Sequence, residues 1–260
     1  MSATSLITEL VLHSGIDVGY VPPTPLPNQV PPVMAASERL LEYANFYGYP
    51  VGYQQEQHGK IVQNIIPIKT FESAQISGSS AASLSLHTEA AFHPYRPDFV
   101  LLLCLRGDYA AKTTYAKLTD ILQELPKKYV RILEQEQFTT SIDMSYRLDG
   151  QADTKVPIAI LNKKDNTYQL RYDEELIRAT NSKAAEALSA LKVAITNTTQ
   201  DIVLNTGDML VLNNHRVLHG RSTFKARYDG TDRWLQRCLV LSALPQQSQY
   251  KTTYTITTSF

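Results

Sequence analysis

His87 and Glu89 stand two residues apart in LSLHTEAAFHPYRPDFVLLLCLRG, residues 84–107, at the end of an alternating run. Successive side chains of a strand point to opposite faces, so on a strand this imidazole and this carboxylate face the same way and offer two bonds to one metal ion. A third ligand must come from elsewhere. The chain has six histidines, at 13, 58, 87, 93, 215 and 219. His219, in NNHRVLHGRSTF, follows an apolar run and precedes Gly220. His215 competes with it from the same stretch. Two histidines and a carboxylate that leave the remaining positions open form the ligand set of non-heme Fe(II) oxygenases. The same three residue types also suit a catalytic zinc.

Arg233 follows His219 by fourteen residues and Arg237 by eighteen. On a strand beginning at 233, Arg233, Leu235 and Arg237 share a face. Two guanidinium groups on an inward face are expensive unless they meet anions, and the planar fork of arginine suits carboxylates. One region thus combines a metal triad with two carboxylate receptors. Neither a zinc hydrolase nor a jelly-roll binding protein with a structural or lost metal needs that second feature.

The elements that must position these residues are legible in outline. Residues 36–48 predict a helix, with Ser37 as its cap and Gly48 as its stop. Residues 59–69 predict a strand, and 76–89 a small-residue loop leading into another. The unbroken apolar run in 97–107 predicts a strand covered on both faces. Residues 118–138 predict helix on either side of Pro126, and 182–197 an amphipathic helix. Residues 199–222 read as strand, a turn at Thr206–Asp208, strand and turn; 233–244 reads as a last strand. Residues 20–32 are Pro-rich and extended, an arm on the surface. Residues 139–168 are polar and turn-rich, as in an insertion or lid. The pattern suits a β-rich core with helices on its outside, a single domain over 1–260.

Composition excludes several partners. Lys+Arg and Asp+Glu balance at 25 each, and no basic run interleaved with aromatics appears, so nucleic acid is not indicated. No run approaches the length of a membrane span, and the N-terminal twenty residues make a poor signal peptide. Cys104 and Cys238 both lie in apolar strand-like segments and read as buried free thiols, which points to the cytoplasm. Oligomeric state is not legible.

H-x-E, then a distal HGR, then an arginine fourteen residues on within RYDGTDRWLQR resembles the Fe(II)/2-oxoglutarate-dependent oxygenases. Among them it is most similar to the clavaminate synthase-like group, which includes arginine and asparagine hydroxylases. The resemblance runs from about residue 48 to 243. It implies a double-stranded β-helix (jelly roll) flanked by helices, with Fe(II), 2-oxoglutarate as cosubstrate and O2. It makes His87, Glu89 and His219 the iron ligands, and gives Arg233 the distal carboxylate of 2-oxoglutarate. Thr113 supports that carboxylate, with Thr114 as the neighbouring alternative. Arg237 takes the α-carboxylate of an amino-acid substrate. Asp173, in QLRYDEEL, faces its side chain, and Glu56, in YQQEQHGK, reaches its α-amine. The implied reaction is hydroxylation of an unactivated C–H bond, at C3 or C4 of a small polar or basic L-amino acid, in specialised metabolism. Desaturation, ring closure or a carrier-bound substrate are variants. A carboxylate at 89, where related halogenases carry a small residue, favours hydroxylation.

Overall fold

The computed structural model describes residues 9–26, 29–147, 154–246 and 254–257. The strands in chain order are β1 (Leu10–His13), β2 (Tyr49–Tyr53), β3 (Val62–Ile65), β4 (Leu84–His87), β5 (Phe99–Arg106), β6 (Thr113–Lys117), β7 (Phe138–Ser141) and β8 (Lys155–Ile158). They continue with β9 (Leu161–Lys164), β10 (Thr167–Leu170), β11 (Arg178–Ala179), β12 (Gln200–Ile202), β13 (Met209–Asn213), β14 (Val217–Arg221), β15 (Trp234–Leu241) and β16 (Thr255–Ile256). The helices are α1 (Met34–Tyr47), α2 (Leu118–Glu124), α3 (Lys127–Leu133) and α4 (Ser182–Thr198).

Two sheets face one another as a jelly roll. The larger runs β1-β13-β5-β15-β2-β16, with β3 also paired to β15; the smaller runs β12-β6-β14-β4. The apolar run of β5 is explained by its two environments. Val100, Leu102 and Cys104 point between the sheets, while Phe99, Leu101, Leu103 and Leu105 point the other way, onto α1. On β15, Leu235 and Leu239 face inward, and Trp234, Cys238 and Val240 face α1. Arg237 is therefore committed to the interior by the alternation of its own strand. The helices α2, α3 and α4 cover the outside of the smaller sheet, where Ala187, Leu191 and Ile195 of α4 meet Leu133, Ile121 and Leu218. Asn181 caps α4 by accepting from the Ala184 N–H at 2.9 Å.

Several boundaries differ from the sequence expectation. The first helix starts at Met34 directly after Val33, without a side-chain cap. The Ser37 hydroxyl lies inside the helix and meets the Gln236 amide at 3.0 Å on β15 instead. The strand expected over 59–69 contracts to β3, because short 3-10 turns at Gln57–Gly59 and Lys69–Phe71 close it at both ends. The strand carrying His87 ends there; the Thr88 N–H turns away to Tyr172 O at 2.7 Å, and Ala90 adopts φ 50°. Glu89 thus sits on a turn and not on the strand. The last strand opens at Trp234, with an irregular register between Trp234 and Leu235.

In the segment at 139–168, β7 pairs with β8 and β11, and β9 with β10. Ile142, Ile158, Ile160 and Leu161 are buried there. Residues 148–153 of that expected insertion or lid lie outside the described residues, as do 27–28 of the Pro-rich arm and the first eight residues. Cys104 and Cys238 are free and buried, and burial pushes both thiols up to about 12.

Candidate metal centre and active-site cavity

β14 lies between β6 and β4, and its register places His219 directly opposite His87. The two imidazole rings are 4.5 Å apart. Gly220 is what allows β4 to approach this closely, since a Cβ there would fall 2.4 Å from Leu84 O. Glu89 arrives from the turn, held by the Asn214 side chain. That amide accepts from the Glu89 N–H at 2.7 Å and donates to Glu89 O at 3.0 Å and Pro97 O at 2.8 Å. One buried amide thereby fixes both backbone polar groups of Glu89.

His87, Glu89 and His219 offer ligand atoms that all lie within 4.8 Å of one another. The acceptor at Nδ1 of His87 is Ser85 O, at 2.8 Å, so Nδ1 carries the proton and Nε2 presents its lone pair. Burial, then His87, lowers His219 to about 4, which keeps it neutral. Burial would raise the Glu89 carboxyl, but Arg237, then His219 and His87, outweigh it and hold it well below the usual carboxylate range. Glu89 Oε1 accepts from Arg237 at 2.9 Å; Oε2 is buried, accepts no hydrogen bond among the described residues, and lies 3.6 Å from His219 Nε2. Two imidazoles and a carboxylate with an uncommitted oxygen fit an Fe(II) centre of three protein ligands.

His215 is occupied elsewhere. Its Nε2 meets Asp98 at 2.6 Å and its Nδ1 meets Arg96 at 2.6 Å. His93 is fully buried, accepts from the Tyr95 N–H at 2.9 Å and stands edge-on to Tyr53.

A cavity of about 480 Å³ opens beside the cluster, and Glu56, Thr113, Asp173, Arg233 and Arg237 all line it. The two arginines differ sharply. Arg237 is charge-compensated: it donates to Gln63 Oε1 at 2.8 Å, to Glu89 and to Glu56, and one of its five N–H groups is left over for a further acceptor. Burial would lower it, but Glu56 and Glu89 raise it above the usual arginine range. Glu56 is held in turn by the Tyr146 hydroxyl at 2.9 Å and the Gln63 amide at 3.2 Å. Arg233 is equally buried but has no carboxylate within ion-pair distance among the described residues; it reaches only Thr113 Oγ1, at 3.5 Å, and burial pushes it down to about 10. Thr113, not Thr114, meets it. Asp173 pairs with His87 as an isolated bridge, and its Oδ1 accepts from the N–H groups of Glu175 at 2.9 Å and Leu176 at 3.1 Å. Burial raises its carboxyl, His87 opposes that, and Asp143 on the same cavity wall reinforces it.

Sequence reasoning missed Gln63, Tyr146, Asn214 and Asp143. Only Gln63 left a signal, an amide at an inward position of a short strand. Tyr146 and Asn214 act through contacts that span 90 residues, to Glu56, and 125 residues, to Glu89, which spacing along the chain does not reveal.

Asn214→Ala would leave the buried Glu89 N–H and C=O without partners, at about 1–3 kcal/mol for each. Loss of such an outer support also lowers metal affinity by roughly 10–100-fold. Thermal unfolding and Co(II) titration of the same variant check both; unchanged metal affinity would remove Asn214 from the site.

Residues 26–239 match the family model described as taurine catabolism dioxygenase TauD, TfdA family. The chain is 32% identical over 251 residues to the enduracididine beta-hydroxylase of Streptomyces hygroscopicus, covering 85% of this chain and 73% of that protein. It is 34% identical over 233 residues to the L-lysine 3-hydroxylase of Catenulispora acidiphila, covering 86% of this chain and 64% of that protein. Among solved structures it is similar, with a TM-score of 0.86 and 32% identity, to an asparagine oxygenase in complex with Fe(II), 2S,3S-3-hydroxyasparagine and succinate, covering 96% of this chain and 80% of that one.

Proposed function

The chain belongs to the TauD/TfdA family and is an iron- and 2-oxoglutarate-dependent oxygenase; from that premise we propose that it hydroxylates an unactivated C–H bond, at C3 or C4, of a small polar or basic free L-amino acid. The observation that carries the substrate reading is the buried pair of Arg237 with Glu56, which lines the same cavity as the metal cluster. Its two charges are those an α-amino acid presents in reverse: the α-carboxylate goes to Arg237 and the α-ammonium to Glu56. The relatives named for hydroxylation of enduracididine, lysine and asparagine support an amino-acid substrate.

His87, Glu89 and His219 would hold Fe(II), with Ser85 O fixing the His87 tautomer and Asn214 the Glu89 backbone. Iron bound there, with 2-oxoglutarate and O2, supplies the oxidation, giving succinate, CO2 and an alcohol. The protein contributes binding and orientation. Arg233 and Thr113 receive the distal carboxylate of 2-oxoglutarate. Gln63 and Tyr146 keep Glu56 and Arg237 in register, so the substrate backbone is held at one place relative to the metal ligands. Leu102, Leu235 and Phe92 make the wall between these polar groups apolar and exclude water. Asp173, with Asp143 near it, gives the side-chain end of the cavity a negative character that suits a cationic or N–H-bearing side chain. We place the enzyme in the cytoplasm on its two buried free thiols, as one domain over residues 1–260, serving specialised metabolism.

The test is a screen of the proteinogenic L-amino acids plus ornithine, with Fe(II), ascorbate and 2-oxoglutarate, reading the mass of one added oxygen alongside succinate. A basic or amide amino acid is expected to react, and its N-acetyl derivative to fail. Asp173→Ala is then expected to lose the selectivity while keeping substrate-free decarboxylation of 2-oxoglutarate. Reaction of acidic or apolar compounds alone would remove Asp173 from its role. Slow succinate formation with no free amino acid reacting would point to a larger or carrier-bound substrate.

A further inference from the structure

The Arg233 end of the cavity holds a second guanidinium that none of these roles uses. Arg221, immediately after Gly220 in β14, is 3% exposed and lines the same cavity. Its cross-strand partner on β6 is Thr113, the residue that Arg233 reaches. Arg221 donates to Ser79 Oγ at 2.7 Å, Ala82 O at 3.0 Å and Ser222 O at 2.7 Å, and its guanidinium lies 5.0 Å from the Phe224 ring centroid. Every one of these partners is neutral. No carboxylate pairs with it among the described residues, and its Nε–H is buried without an acceptor. Two uncompensated cations, Arg221 and Arg233, therefore flank Thr113 at one end of one cavity. Buried like charges in that arrangement are unfavourable until an anion neutralises them.

We propose that Arg221 is a second cationic receptor for the distal carboxylate of 2-oxoglutarate, and so a determinant of the preference for a 2-oxo diacid over a 2-oxo monoacid. The inference rests on the cavity being the 2-oxoglutarate site. Its bonds to Ser79 and Ala82 also tie down the small-residue loop, so the two roles must be separated.

Anaerobic calorimetry on the Fe(II)-loaded protein separates them, comparing 2-oxoglutarate with 2-oxopentanoate, in which a methyl group replaces the distal carboxylate. Arg221→Gln is expected to narrow the preference for 2-oxoglutarate by about tenfold to a hundredfold, the worth of one charge-assisted hydrogen bond, without weakening 2-oxopentanoate. Ser79→Ala, which cuts the loop bond and keeps the guanidinium, is expected to leave the preference unchanged. An unchanged preference in Arg221→Gln, or the same narrowing in Ser79→Ala, overturns the proposal. If Arg221→Gln does not fold, Arg233→Gln combined with Thr113→Val decides instead: a remaining preference for the diacid supports Arg221, and equal affinity for the two acids overturns it. A wild-type protein that binds neither acid would sink the reading of the cavity itself, a different failure from a wild type that binds 2-oxoglutarate with no contribution from Arg221.

Discussion

His219→Ala is expected to abolish iron-dependent turnover of 2-oxoglutarate and to leave the fold intact. The imidazole is buried opposite His87 and beside Glu89, and no other described histidine lies in that cluster. Loss of a direct ligand should exceed the roughly 10–100-fold penalty of losing an outer support. Stability should change little, because the ring is neutral and its Nδ1 has no partner to lose among the described residues. His87→Ala should behave alike. His215→Ala should show the reverse pattern: it strips partners from Asp98 and from the buried Arg96, so the protein loses stability while iron binding persists. Bound iron, succinate formation and the unfolding midpoint, measured on both variants, check this. Full activity in His219→Ala with loss in His215→Ala would mean the wrong distal histidine was assigned.

The second large effect separates the two arginines of β15 and its entry. Arg233→Ala is expected to raise the 2-oxoglutarate KM strongly, because a buried charged pair that loses one partner forfeits about 3–5 kcal/mol. The unliganded protein should lose no more than about 1 kcal/mol, since Arg233 makes a single long bond to Thr113 and its removal relieves the burial of an uncompensated charge. Arg237→Ala is expected to do the opposite to stability. It strands Glu56 and Glu89 in the interior, for about 3–5 kcal/mol, and it weakens amino-acid binding while 2-oxoglutarate binding survives better. Unfolding midpoints and the two KM values decide. A stability loss in Arg233→Ala equal to that in Arg237→Ala would show that Arg233 is an ordinary structural cation.

This contrast also marks where sequence reasoning stops. Arg233 and Arg237 are four apart, and strand alternation assigns them one face, so their convergence on the cavity is legible. That one is ion-paired while the other has no carboxylate partner among the described residues depends on Glu56 and Gln63, which reach Arg237 across 181 and 174 residues. The case of Glu89 is similar. Alternation from His87 predicts its direction, but β4 ends at His87, two residues before it, and a turn clamped by Asn214 brings the carboxylate to the metal cluster by another route. The helix at 182–198 and the apolar strand β5 were legible because each buries a face whose period lies within its own sequence. Ser37 and the 59–69 stretch misled because a hydroxyl near a helix start and a run of β-formers carry no record of what packs against them.

The most direct measurement is anaerobic absorption spectroscopy of the purified protein titrated with Fe(II) and then 2-oxoglutarate. If His87, Glu89 and His219 hold iron with positions left open for the oxo acid, a weak visible charge-transfer band grows in with 2-oxoglutarate and saturates. The band should be lost in His219→Ala, and in Arg233→Ala it should require far more 2-oxoglutarate. No band in the wild type, or a band of undiminished intensity in His219→Ala, would contradict the assignment of this cavity as the iron and 2-oxoglutarate site.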